Sequence, residues 1–111
     1  QRHLIICHTF DTNDGRFSRG QGFSMADDWF AYMRDAFDWL YAEGELAPKF
    51  LTVALHCRMI GRPGRIAALA RFIEHVSKHP DIWICRREEV ARHWYQHQGT
   101  KEDRQRLASL A

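Results

Sequence analysis

The chain has 111 residues, about one small domain. Hydrophobic residues make up 45% and charged residues 27%, a balance that supplies a core and excludes a disordered chain. A net charge of +2 carried by scattered arginines argues against a nucleic-acid partner, and no apolar run approaches the roughly 18 residues of a membrane span, so no membrane partner is expected.

The chain begins with a short apolar run, His3 to His8, which reads as a strand. Thr9 to Arg16 follows as an acidic, turn-rich stretch with Asn13-Asp14-Gly15 as its turn signal. The loop continues to Phe23, a length that usually carries function. Ser24 to Asp27 reads as a helix start, with Ser24 as cap and an acid three residues on. Trp29, Phe30, Met33, Phe37, Leu40 and Tyr41 then recur at helical spacing, and Gly44 closes the helix.

Phe50 to Leu55 is apolar and rich in bulky residues, as suits a strand buried on both faces, and it ends on His56-Cys57-Arg58. Met59 to Arg65 reads as a loop leading into a helix with Pro63 at its first turn. Ile66, Leu69, Phe72, Ile73 and Val76 form the expected buried stripe, and Pro80 stops the helix. Asp81 to Cys85 reads as a third strand, and Glu88 to Gln96 as a third helix broken by Gly99. Residues 99–111 form a weakly structured tail or a short helix capped near Thr100 and running through Leu110.

Alternation of β and α with short links predicts an α/β fold with parallel strands near 3–8, 50–57 and 82–85. Three βα units cover too little sheet to stand alone, so residues 1–111 read as part of a larger domain. Exposed apolar faces would then demand a partner, either the remainder of a barrel or another copy in a homo-oligomer. Cys7, Cys57 and Cys85 form no CxxC pair and sit in or at the ends of the predicted strands. They read as buried thiols in a reducing cytosol, which favours a cytoplasmic location.

Three groups of residues can carry chemistry. His56 lies where a parallel strand meets its loop, the edge at which α/β folds bind ligands, and imidazole suits acid–base work at neutral pH. Asp11 and Asp14 follow the first strand and should share that edge, where a carboxylate can orient the imidazole. Arg58, Arg62 and Arg65 can bind carboxylate, carbonyl or ureido oxygens by paired hydrogen bonds. His93 and His97 have the spacing of metal ligands on a helix but no evident third ligand, and His8 receives no role. The glycines do not form a phosphate loop.

The segments TFDTNDGRF (Thr9–Phe17), QGF (Gln21–Phe23), DWLYAEG (Asp38–Gly44), LHCRMIGRPGR (Leu55–Arg65) and ICRREEVARHW (Ile84–Trp94) resemble the polysaccharide deacetylase (NodB-homology) superfamily. The likeness is to its C-terminal part, most of all in the allantoinase-type branch of purine breakdown, and it extends to about Gln98. It implies a partial (β/α) barrel and a hydrolase of non-peptide C–N bonds. The implied substrate is a small amide or cyclic ureide, with polysaccharide N-deacetylation or a non-catalytic remnant as alternatives. It makes His56 the general acid, an aspartate of Asp11–Asp14 its support, and the arginines binders of ureido oxygens. The family's catalytic base and metal-binding residues lie in motifs of the N-terminal half. No cofactor is therefore evident in this segment, and a divalent metal such as zinc would belong to the full-length protein.

Overall fold

The structure is a computed structural model that describes residues 3–109. Two compact units divide it: residues 8–80 form one, and the residues up to 7 together with those from 81 onward form the other.

The first unit is built on two helices. Helix α1, Ala26–Glu43, starts one residue later than the Ser24 cap implied. Its start is held by Asp28, whose carboxylate accepts from the backbone N–H groups of Ser24 and Met25 at 3.1 and 2.7 Å. That satisfies donors a helix start leaves open. Helix α3, Pro63–Ser77, opens on proline, whose missing N–H costs nothing at a first turn. Between them Cys57–Ile60 forms a single helical turn, α2, where the sequence suggested a strand end running into a loop.

α1 and α3 pack through Trp29, Met33, Ala68 and Phe72, all buried, joined by Phe23 and by Ile60 of α2. Trp29 and Phe37 both meet the ring of Phe72 edge-on, at 5.8 and 6.5 Å. Each such side chain contributes about 1.5–3 kcal/mol when fully buried. Of the expected stripe on α3, Leu69, Phe72 and Val76 pack on the core. Ala68 and Phe72, four residues apart, face α1, while Ile66 and Ile73 stand about half exposed. Arg71 pairs with Asp27 across the same two helices, an exposed contact worth little.

The predicted parallel sheet does not form. The described residues contain no named strand and no barrel; one isolated parallel bridge, Asn13 to Ala54, is all the pairing between extended segments. Around it Asp14 N–H donates to Ala54 O at 3.1 Å and Ala54 N–H to Thr12 O at 2.9 Å. Beyond it side chains replace the ladder. The Thr12 hydroxyl donates to Thr52 O at 2.6 Å, and Thr52 N–H donates to the Thr9 hydroxyl at 3.0 Å. Apolar runs near 3–8, 50–57 and 82–85 carry the composition of strands, but a strand exists only through a neighbour in register. Composition does not supply one.

Thr12 is fully buried, so its hydroxyl is expected to matter for stability. Thr12→Val keeps the shape and strands Thr52 O. It should cost roughly 1–3 kcal/mol, read as a lowered urea midpoint; an unchanged midpoint would show the hydroxyl to be dispensable. The loop after Asp14 winds into a short 3-10 helix, Asp14–Ser18, and returns against itself at Gly22. A Cβ there would lie 1.6 Å from Arg16 O, so only glycine fits.

The second unit holds α4, Arg87–Gln98, and α5, Lys101–Ser109, neither with a buried residue. Glu89 accepts from Arg86 N–H at 2.6 Å to start α4. Thr100 and Asp103 cap α5 reciprocally, at 3.0 and 3.2 Å. Leu110, the expected end of the tail helix, lies outside the described residues. The cysteines depart from expectation, with Cys7 and Cys57 exposed and Cys85 partly so. Without the sheet, Cys7 and Cys57 lie at the surface. Residual burial, then the Glu89 carboxylate, push the Cys85 thiol above its ordinary range, which makes it a poor nucleophile. Phe10, Leu46, Ile5 and Ile84 are also largely exposed. No helix among the described residues is long and apolar enough to cross a membrane.

Candidate active site

The bridge between Asn13 and Ala54 sets the site. It runs residues 12–14 parallel to 52–56 and brings Asp14 alongside His56. Asn13 caps the 3-10 helix by accepting from Gly15 N–H at 2.7 Å, which fixes the backbone at Asp14. Asp14 has no exposed surface. One carboxylate oxygen accepts from the backbone N–H of His56 at 2.7 Å and of Ile60 at 3.1 Å. The other meets His56 Nδ1 at 2.6 Å. An ionised carboxylate only accepts, so Nδ1 carries a proton and Nε2 faces away from the aspartate. The imidazole itself is 39% exposed.

The arrangement is asymmetric in a useful way. Three N–H donors immobilise the buried carboxylate, and the carboxylate orients a ring whose outer nitrogen is accessible. Such a pair can pass a proton at Nε2 while the aspartate stays fixed.

Of the two candidate aspartates, Asp14 joins His56. Asp11 turns to α1 instead, where its carboxylate accepts from Tyr32 OH at 2.7 Å. It lines a shallow pocket with Thr9, Thr12, Tyr32 and Leu51. The three arginines share another cleft with Phe17 and Met25, and neither His56 nor Asp14 lines it. Arg65 donates to Met59 O at 3.2 Å and lies 4.1 Å over the Phe17 ring, while Arg62 donates to Arg58 O at 3.2 Å. Arg16 escaped the sequence reading. Its guanidinium sits over the Phe23 and Tyr32 rings at 4.8 and 4.9 Å and donates to Asp11 O at 3.3 Å. Its place right after Asn13-Asp14-Gly15 was the available signal. His93 and His97 lie ring to ring at 4.1 Å on α4, and no third ligand joins them among the described residues.

A carboxylate-held imidazole at the end of an extended segment has the chemistry for acid–base work. No family model matches the chain. A putative polysaccharide deacetylase of Schizosaccharomyces pombe is 45% identical over 92 residues, 82% of this chain and 29% of that protein. Two crystal structures superpose with a TM-score of 0.86 each: a probable polysaccharide deacetylase from Pseudomonas aeruginosa PAO1, 52% identical, and PuuE allantoinase, 55% identical. Each match covers 89% of this chain and 33% of the other. The chain resembles the polysaccharide deacetylase superfamily, and it spans about a third of the length of the relatives it matches.

Proposed function

We propose that this chain supplies the proton-donating part of a hydrolase that cleaves a non-peptide C–N bond, with a cyclic ureide such as allantoin as substrate. The observation that carries the reading is the grip of buried Asp14 on His56. In such a hydrolysis water adds to the carbonyl carbon and the C–N bond of the tetrahedral intermediate breaks. The departing nitrogen takes a proton from Nε2 of doubly protonated His56, whose Nδ1–H stays on Asp14. A nitrogen leaving without that proton would be an amide anion, so a positioned acid is what this step requires. Arg58, Arg62 and Arg65, on the segment just after His56, are the proposed binders of the ureido oxygens. Asp11 is proposed to position Tyr32 rather than to touch His56.

The family resemblance brings in a divalent metal such as zinc. Both Asp14 oxygens and His56 Nδ1 are engaged in hydrogen bonds. Only His56 Nε2 is left able to ligate, and one nitrogen does not make a metal centre, so the proposed step uses none. In this reading the base and any metal come from other parts of a longer protein. That remainder, or a second copy of the chain, would cover the exposed apolar residues. The cytoplasmic location expected from the sequence is kept.

A second reading, N-deacetylation of a polysaccharide, is favoured by the likeness to the putative fission-yeast and probable Pseudomonas polysaccharide deacetylases. The discriminating experiment gives the longer protein allantoin and an N-acetylglucosamine oligomer in parallel. Release of allantoate alone is expected. Acetate release alone would transfer the reading to the deacetylase. Turnover of neither would leave the non-catalytic alternative.

A further inference from the structure

We propose a second site, a transition-metal site formed by Asp38, His75 and His79, which shares no residue with the His56 site. Asp38 lies on α1, His75 in the last turn of α3, and His79 in the turn that follows. One ligand atom from each, two imidazole nitrogens and a carboxylate oxygen, lies within 4.8 Å of the others. His75 Nε2 and Asp38 Oδ1 are 2.6 Å apart.

Two features point beyond a chance meeting of polar groups. The first is the tautomer of His79. Its Nδ1 lies 3.0 Å from His75 O, and a carbonyl only accepts, so Nδ1 carries the proton and Nε2 presents a lone pair. A hydrogen bond from the far nitrogen to a carbonyl is the usual support of a metal-binding histidine. The second is the wall around the rings. Phe37 meets His75 and His79 edge-on at 5.9 and 4.9 Å, and Tyr41 meets His79 at 4.8 Å. These contacts hold both imidazoles in place, and the cluster remains partly open to solvent, with His75 at 26% and Asp38 at 44%.

Ligands bound about 2.0–2.1 Å from a tetrahedral ion lie roughly 3.3 Å apart. The His75–Asp38 contact would widen slightly and His79 would close in, both within reach of side-chain rotation. The ion would take the place of the proton between His75 and Asp38, and water would fill the fourth position. Two imidazoles with one carboxylate suit zinc, cobalt or nickel over magnesium or calcium. A bound ion would tie α1 to the end of α3.

The test is titration of the full chain with Zn2+ by calorimetry and with Co2+ by visible absorption. One ion per chain is expected, with the intense d–d bands of a four-coordinate cobalt. His79→Ala and Asp38→Asn should each weaken binding at least about 10-fold while leaving the helical circular dichroism intact. The double variant His93→Ala, His97→Ala serves as control and should bind as the parent does. At 100-fold excess over Kd, Zn2+ should raise the melting temperature by about 10 °C in the parent and not in His79→Ala. Absence of binding, or binding lost only in the His93 and His97 control, overturns the proposal and leaves the cluster as aromatic packing. Activity of the His56 site does not enter, so failure here is separate from failure of the hydrolase reading.

Discussion

His56→Ala in the longer protein is expected to lower turnover by roughly 10²–10⁴-fold, the usual worth of a general acid. The loss should appear in kcat with KM little changed, because Nε2 acts as the nitrogen departs and not as the substrate binds. Folding should be nearly unaffected. The ring is more than a third exposed, and Asp14 keeps its two backbone donors when the ring is removed. A substrate whose leaving nitrogen is already a good leaving group should recover much of the lost rate. Unchanged turnover on the substrate the parent accepts would remove His56 from the reaction and the proposed function with it. Steady-state kinetics on both leaving groups, with circular dichroism of the variant, is the measurement.

Replacing Asp14 should do something different, and this contrast is the second large effect. The carboxylate is fully buried and takes the N–H groups of both His56 and Ile60. Asp14→Ala strands both donors in a closed environment, at about 1–3 kcal/mol each. A total of about 2–6 kcal/mol is a large share of the 5–15 kcal/mol that usually stabilises a domain. Denaturant unfolding should therefore show a marked loss for Asp14→Ala and little for His56→Ala. Asp14→Asn should fold better than the alanine variant, since its oxygen still accepts from the backbone. Its amide, however, would donate to Nδ1 and reverse the tautomer, so activity should stay low. Full activity in Asp14→Asn would mean that orientation of the ring by a carboxylate is unimportant.

The asymmetry between these two residues follows from where each sits. Asp14 is a structural pivot: it ties the 3-10 helix, the extended segment and α2 with one side chain. His56 is held at the edge of that pivot and can be exchanged without dismantling it. The single turn α2 owes its position to the same carboxylate, through Ile60 N–H, and ends at Gly61. A Cβ at Gly61 would come 2.3 Å from Cys57 O, the atom its own N–H bonds at 3.1 Å.

Much of this was legible in the sequence. The aromatic spacing from Trp29 to Tyr41, the proline at 63 and the glycines at 44 and 99 marked the helices, because capping and periodicity are local and act within a few residues. His56 was legible as a candidate because it ends an apolar run before a loop. The choice of Asp14 over Asp11 was not legible, since it depends on the register of two segments some forty residues apart. A shift in that register exchanges which side chain meets the imidazole. The strands failed for the same reason. Apolar runs supply the preference for an extended backbone, but a sheet needs neighbours in register, and here threonine hydroxyls and one bridge stand in for them. The meeting of Asp38 with His75 and His79 was equally hidden. Spacing places the two histidines near each other, but only the packing of α1 against α3 through Trp29 and Phe72 carries the aspartate to them. Helices, caps and candidate chemistry follow from residues near in sequence. Which of those residues touch is decided by packing between segments far apart in the chain, and that determined the site.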